Sequence, residues 1–387
     1  MKILFLTRGF PSEENPMSGN YEAAQARAIA AKGHEVSMIA IHWFNPLRFI
    51  KYRRIRVNHR VVDGIHIYEC DRLKLSIPHV YFLKIEHWTQ KWQFKRIYDR
   101  YVREIGTPDI VHAHIIMIAA PAIYLKQELH LPFVITEHWT VMNKKSIPKR
   151  IMEQTIAYRS VDRVICVSDA LAANLKEKCN INSLVINNMV SDQFFKSQKI
   201  ERHDHCFRFI AVGAMRKNKR FDILVEAFAL AHFPENISLD IVGDGVEHSM
   251  IESKINQYQL SKQIRLLGVK TPTEVNDLLC LSDCFVLSSR LETFAIVLIE
   301  AMAKGLPVIA TRSGGPETFV RSEDGVLVAK ENVEELSEAM KYMIEHYHNY
   351  DAEEIRRHCY DNFSQDVISN KIIEIYKQVT TKNNYGN

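Results

Sequence analysis

The stretch Ser288-Ser289-Arg290-Leu291-Glu292-Thr293-Phe294-Ala295-Ile296-Val297-Leu298-Ile299-Glu300-Ala301-Met302-Ala303-Lys304-Gly305-Leu306-Pro307 decides the fold. It reads as a strand end, a loop, a helix starting near Thr293, Gly305 just past the helix stop, and Pro307 opening the next strand. A strand followed by a covering helix and a further strand is the repeating unit of a parallel sheet.

The same alternation runs outward to both ends of the chain. Upstream lie the β-branched runs Lys2–Thr7, Glu35–Ile41, Ile65–Cys70, Asp109–Ile115, Phe133–His138, Arg163–Ser168 and Leu184–Asn187. After the polar, charge-rich stretch Lys196–His205 come Phe207–Gly213, Ser238–Gly243, Ile264–Gly268, Cys284–Ser289, Pro307–Thr311 and Val326–Ala329. The pattern predicts an α/β protein of two doubly wound Rossmann-like domains, residues 1–195 and 206–362, facing a central cleft. A last helix, Phe363–Val379 within residues 363–380, is expected to cross back to the first domain. The chain has no P-loop and no Gly-x-Gly-x-x-Gly, so ligand sites are sought in the loops after strands.

At 387 residues, 47% hydrophobic and 25% charged, the composition excludes disordered and fibrous classes. The net charge of +4 hides an asymmetry: residues 1–200 carry 29 basic against 18 acidic residues, and residues 201–387 carry 21 against 28. A basic half suits an anionic membrane surface or another polyanion. Seven scattered cysteines without metal-ligand spacing suggest a reducing cytoplasm. The longest uncharged apolar run, Ile115–Leu125, has eleven residues and contains Pro121, too short to span a bilayer.

Two constellations carry chemistry. In the first, the free N–H groups of the helix after Glu292 form a site for a diphosphate, with Glu292 at the helix mouth. Glu300, eight residues on, sits in the apolar run Ala295–Ala303, where an unpaired carboxylate is costly. One carboxylate could reach a sugar and the other a ribose diol, with the diphosphate between them. In the second, Gly213-Ala214-Met215-Arg216-Lys217-Asn218-Lys219-Arg220 places four cations between a strand and a helix, where a diphosphate leaving group needs them.

Glu292-x-Phe294 followed by Glu300, with Gly213 and Lys219 upstream, resembles the donor site of glycosyltransferase family 4, the large retaining family with the GT-B fold. Flanking segments extend the likeness over nearly the whole chain: Val242-Gly243-Asp244-Gly245, Ser313-Gly314-Gly315-Pro316-Glu317, Val167-Ser168 before Asn187-Asn188, and Pro11 to Gly19 followed by Gly33-His34-Glu35-Val36. The resemblance implies a nucleotide-sugar-dependent transferase. Glu300 then binds the ribose hydroxyls, Glu292 contacts the donor sugar, the Thr293-Phe294-Ala295 segment approaches the diphosphate, Lys219 stabilises the leaving phosphate, and the backbone of Val269 meets the base. Two positions depart from the family pattern. Ala214 replaces an Arg after the glycine, with Arg216 as the candidate substitute, and Ala295 stands where Gly is common.

In the first half, Thr136-Glu137-His138 resembles the family segment whose His meets the donor sugar near the reacting carbon, which makes His138, Glu292 and Lys219 the catalytic candidates. Gly19, in the loop Pro11–Asn20, is expected to let backbone pass close to the phosphates and acceptor. His112 and His114 alternate on one strand face, where they read as packing or cleft-lining residues, because no third ligand is close in sequence. The chain contains no Asp-x-Asp, so neither a metal site nor a metal cofactor is expected, and the nucleotide sugar is a substrate.

Between Glu35 and Asp63 there is no acidic residue, while Arg48, Lys51, Arg53, Arg54, Arg56 and Arg60 cluster with Trp43, Phe44, Phe49 and Tyr52. Residues 84–103 add six cations with Trp88, Trp92, Phe94, Tyr98 and Tyr101. Cations interleaved with aromatics suit an anionic membrane surface; no nucleic-acid partner is expected. The resulting expectation is a cytoplasmic, peripherally membrane-bound retaining hexosyltransferase. It moves a sugar from a UDP- or GDP-sugar to a glycan or lipid-linked acceptor in bacterial surface polysaccharide synthesis. The alternatives are a nucleotide-sugar epimerase of the same architecture and a non-catalytic sugar-nucleotide or polyanion-binding protein.

Overall fold

A computed structural model describes residues 1–11, 18–44, 57–73, 83–196 and 206–384. The chain forms two compact units. The first comprises Met1–Val167, Leu171–Ile186 and Ser369–Asn387, and the second Ser168–Ala170 and Asn187–Ile368.

The first unit is built on an eight-stranded sheet. Its strands are β1 (Lys2–Thr7), β2 (Glu35–Phe44), β3 (Val57–Val62), β4 (Ile65–Leu73), β5 (Ile110–His114), β6 (Phe133–Glu137), β7 (Arg163–Cys166) and β8 (Leu184–Val185), in the order β3-β4-β2-β1-β5-β6-β7-β8. Every pairing is parallel except β3 with β4. β1 is a nearly continuous apolar run and β5 is buried throughout, histidines included, as expected of parallel strands covered on both faces; Ile3 to Leu6 and Ile110 to His114 are buried. β3 was not among the expected strands. Its signal was Asp63-Gly64, both at positive φ (52° and 75°), a two-residue hairpin turn between Val62 and Ile65. Half-exposed edge residues such as His59 and Arg60 masked the pattern.

The second unit carries six strands, β9 (Phe207–Val212), β10 (Ile237–Val242), β11 (Ile264–Leu266), β12 (Cys284–Leu287), β13 (Val308–Thr311) and β14 (Gly325–Val328), all parallel, in the order β11-β10-β9-β12-β13-β14. Strand order reverses between β9 and β12, and in the first unit between β1 and β5. Loops diverge to opposite faces at such a point, leaving a crevice at the carboxyl ends of the strands. One core fills the second sheet's flank, where Phe209, Leu224, Phe228, Leu239 and Met340 are essentially solvent-free.

Two helix boundaries differ from expectation. The helix after β12 spans Ile296–Met302 rather than starting near Thr293, so Glu292 lies outside it and the helical spacing between Glu292 and Glu300 does not apply. The C-terminal segment is two helices, Ala352–Phe363 and Gln365–Asn384. Ser364 separates them in extended conformation and offers its hydroxyl to the Val367 N–H (3.4 Å). Ser369 onward groups with the first unit, where the Tyr376 hydroxyl hydrogen-bonds His112 Nδ1 at 2.5 Å.

Candidate active site

The loops after β9 and β12 leave the sheet as neighbours on either side of the reversal point. Lys219 Nζ donates to Glu292 Oε1 at 2.6 Å, and the Ser289 hydroxyl donates to the same oxygen at 2.6 Å. The side chains of Lys219 and Glu292 keep 20% and 12% of their exposure, enough to meet a ligand from one side. Two further bonds tie the loops together: the Ser288 hydroxyl donates to the Lys219 carbonyl (2.8 Å), and the Arg290 N–H donates to the Asn218 carbonyl (2.7 Å). The aliphatic stem of Lys219 lies along Gly213, where a Cβ would stand 3.4 Å from its Cε. The fold thus brings together two predicted residues that the sequence separates by 73 positions.

The remaining cations of that loop divide. Arg220 is bound by Asp222 (3.0 Å) and Glu331, which makes it a structural cation. Arg216 and Lys217 are exposed. The Arg216 N–H donates to the Ala214 carbonyl at 2.7 Å, closing a tight turn at the start of the loop.

Beyond Glu292 the chain is fixed from three sides. The Glu292 N–H donates to the Ser313 carbonyl (2.9 Å), the Ser168 hydroxyl donates to the Thr293 carbonyl (2.6 Å), and Phe294 is buried against Phe319 and Phe363, with ring centroids 4.8 and 5.7 Å away. Gly315 explains the Ser313-Gly314-Gly315-Pro316-Glu317 segment, because a Cβ there would come within 2.6 Å of Phe294 Cα and O. The Glu317 carboxylate accepts the Gly314 N–H at 2.8 Å and holds that turn. Ala295 then caps the short helix in left-handed conformation (φ 79°, ψ 71°), a backbone that favours glycine.

Glu300 lies on that helix and is only partly exposed; among the described residues no hydrogen bond or ion pair to its carboxylate is found. Desolvation pushes its carboxyl up to about 8. Val269, just past β11, points its side chain into solvent at 64% exposure. The neighbouring Gly268 carbonyl is taken by the Gly243 N–H (2.8 Å).

In the first unit, Thr136-Glu137-His138 divides into three tasks. Thr136 Oγ1 hydrogen-bonds His112 Nε2 at 2.7 Å. Glu137 is fully buried and satisfied: its carboxylate accepts the N–H of Ile116 (2.9 Å) and of Trp139 (2.8 Å) and the hydroxyl of Tyr158 (2.5 Å). This anchors the turn that carries His138, whose Nε2 stands 3.8 Å from Glu22 Oε1. Glu22 is in the first turn of the helix Asn20–Ala30, positioned by Gly19 at φ 66°, where a Cβ would fall 2.1 Å from the Gly9 carbonyl oxygen. Residues 12–17 of that loop lie outside the described residues. His112 and His114 are both buried with rings stacked at 4.7 Å, and burial pushes His112 down to about 3 and His114 well below the usual imidazole range. Ile115, directly after them, is held at φ 63°, ψ 147°, a conformation a β-branched residue rarely takes.

A family model described as Glycosyltransferase Family 4 matches residues 19–194, and one described as Glycosyl transferases group 1 matches residues 192–378. The chain belongs to the family 4 glycosyltransferases. An uncharacterized glycosyltransferase of Methanocaldococcus jannaschii is 32% identical over 243 residues, 61% of this chain and 65% of its own length, just under two thirds. The putative teichuronic acid biosynthesis glycosyltransferase TuaC of Bacillus subtilis is 26% identical over 88% of both chains. Among solved structures, Anabaena HepE in complex with UDP and glucose superposes with a TM-score of 0.73 at 18% identity, covering 98% of this chain and 100% of that one. The glycosyltransferase therefore has the GT-B fold, two parallel-sheet Rossmann-like domains.

Sequence reasoning missed Glu22, Ser289 and Glu137 as parts of these sites. Ser289 could have been read from its place at a strand end beside Glu292, and Glu137 from a carboxylate inside an apolar strand; Glu22 carries no signal beyond being a first-turn acid. The basic, aromatic surface is also revised. Phe94, Tyr98 and Tyr101 are buried in the core, while Trp88 and Trp92 are 65% and 48% exposed. Lys91, Lys95 and Arg100 pair with Glu128, Asp99 and Glu104, Arg96 lies over the Trp92 ring, and Arg60 binds Glu69. Residues 48–56 lie outside the described residues. No described helix is long and apolar enough to cross a membrane.

Proposed function

We propose that this glycosyltransferase is a retaining hexosyltransferase that takes its sugar from a UDP- or GDP-sugar and delivers it to a glycan or lipid-linked acceptor of a bacterial surface polysaccharide. The observation that carries the reading is the Lys219–Glu292 pair at the carboxyl ends of adjacent strands, held by Ser289. A half-buried ammonium fixed there needs no reorganisation when negative charge grows on a departing diphosphate. Glu292, with Oε1 held by Lys219 and Ser289, contacts the donor sugar. Phe294 and Ala295 offer backbone to the phosphates, Arg216 supplies a second cation, and Glu300 accepts the ribose hydroxyls. The UDP and glucose bound by HepE and the assignment of TuaC to teichuronic acid biosynthesis support the donor class and the polysaccharide setting.

In the proposed reaction the bond from the sugar C1 to the diphosphate oxygen breaks and a bond from C1 to the acceptor oxygen forms on the same face. The acceptor proton passes to an oxygen of the leaving diphosphate. No enzyme nucleophile and no metal enters this route. His138 hydrogen-bonds a sugar hydroxyl on the acceptor side. The test is a panel of nucleotide sugars assayed by thermal shift, followed by nucleotide diphosphate release with and without acceptor and by product NMR. Donor turnover without released diphosphate would indicate an epimerase, absence of turnover a binding protein, and an inverted anomer a different mechanism.

A further inference from the structure

We propose that Glu22, His114 and His138 form a binding site for one divalent transition-metal ion of the zinc type in the first unit. One ligand atom from each residue lies within 4.8 Å of those of the other two. The three reach this point from separate elements: Glu22 from the first turn of Asn20–Ala30, His114 from the end of β5, and His138 from just past β6, which runs beside β5 with His114 opposite Thr136.

His114 is the independent pointer to a ligand. It is completely buried, and among the described residues neither ring nitrogen has a hydrogen-bond partner. Its neighbour His112 is equally buried but satisfied at both nitrogens, by Tyr376 and Thr136. The two therefore read differently: His112 is a packed core histidine, and His114 is an orphan. A buried polar group without a partner is costly, so its persistence asks for an ion or a ligand. His138 Nε2 is likewise buried without a hydrogen bond, with the Glu22 carboxylate 3.8 Å away.

The donor set is two imidazoles and one carboxylate, the nitrogen–oxygen mixture that suits zinc and its neighbours and leaves a fourth position for water or a hydroxyl. Metal–ligand bonds of about 2.0–2.1 Å put tetrahedral ligands roughly 3.3 Å apart. The His138 and Glu22 ligand atoms, 3.8 Å apart, and their distances to His114, all within 4.8 Å, must therefore shorten when the ion binds.

The proposal is independent of the transferase reading, because binding is read without donor or acceptor. Tag-free, chelator-treated full-length protein is titrated with Co²⁺, followed by its visible spectrum, and then with Zn²⁺ in calorimetry. The expected result is one equivalent of tetrahedral Co²⁺ with nitrogen and oxygen ligands, displaced by Zn²⁺. Glu22→Gln and His138→Asn should each weaken binding by tenfold or more while keeping the thermal melt of the native protein. Those two variants decide the matter even if His114→Ala fails to fold. No cobalt spectrum, a thiolate charge-transfer band, or unchanged affinity in both variants would overturn it.

Discussion

Glu300 and Ala295 are the residues on which the donor site is most open to test. The Glu300 carboxyl holds its proton in the folded state up to about 8, whereas in the unfolded chain it ionises in the ordinary carboxylate range. The sign follows: its contribution to stability is full below that ordinary range and is lost as pH rises through 8. Glu300→Gln removes this loss, so its Tm relative to the native protein should climb with pH, by roughly 3 °C near pH 9, in calorimetry. An ionised carboxylate is the stronger acceptor for ribose hydroxyls, so donor affinity should strengthen as pH rises through 8. In Glu300→Gln it should be weak and flat, and an unchanged affinity would remove Glu300 from the site. Ala295 stores left-handed strain of about 1–2 kcal/mol, partly offset by the entropy a glycine would add to the unfolded chain. Ala295→Gly should raise the Tm by roughly 2 °C and leave donor binding in place, read by the same scans.

The last helix, Gln365–Asn384, was expected to reach the first domain, but no local pattern revealed the contact it makes there. Its Tyr376 is fully buried, and its hydroxyl satisfies a ring nitrogen of His112 in β5 of the first unit. Removing one partner of such a pair leaves a buried imidazole nitrogen unsatisfied, at about 1–3 kcal/mol. Tyr376→Phe should therefore lower the Tm by several degrees, and truncation after Ser364 should lower it far more and abolish transfer. A truncated protein with native melting and activity would show the helix to be dispensable. The helix Ile296–Met302 makes the complementary point. Its apolar run, Gly305 and Pro307 marked it in the sequence, but its first residue was misplaced by three positions. Thr293 and Phe294 are held by Ser168, Phe319 and Phe363, contacts made with segments far away in the chain.

Across the whole molecule, the proposed lipid contact is tested on the helix Leu83–Ile105, where Lys91, Lys95 and Arg100 each face an acidic partner while Trp88 and Trp92 are exposed. Flotation with anionic vesicles should accordingly lose binding in the double variant Trp88→Ala, Trp92→Ala, while added salt weakens it only modestly. No flotation of the native protein would end the membrane reading. The alternation of β-branched runs and helices determined the two parallel α/β sheets. Period and residue type act locally, and helix-covered parallel strands leave a continuous apolar record. Glu292, Glu300 and Lys219 were singled out in the sequence for a related reason, since each sits at a fixed offset from a strand end or an apolar run; what the structure adds is the hydrogen bond between Lys219 and Glu292. Only the tertiary structure decided that Lys219 and Glu292 share a bond, that Tyr376 satisfies His112, that Lys91 and Arg100 are paired, and that Glu22 and His138 converge on an unpartnered His114. Those facts concern burial and distance between residues remote in the chain, and no local pattern of residue types encodes either.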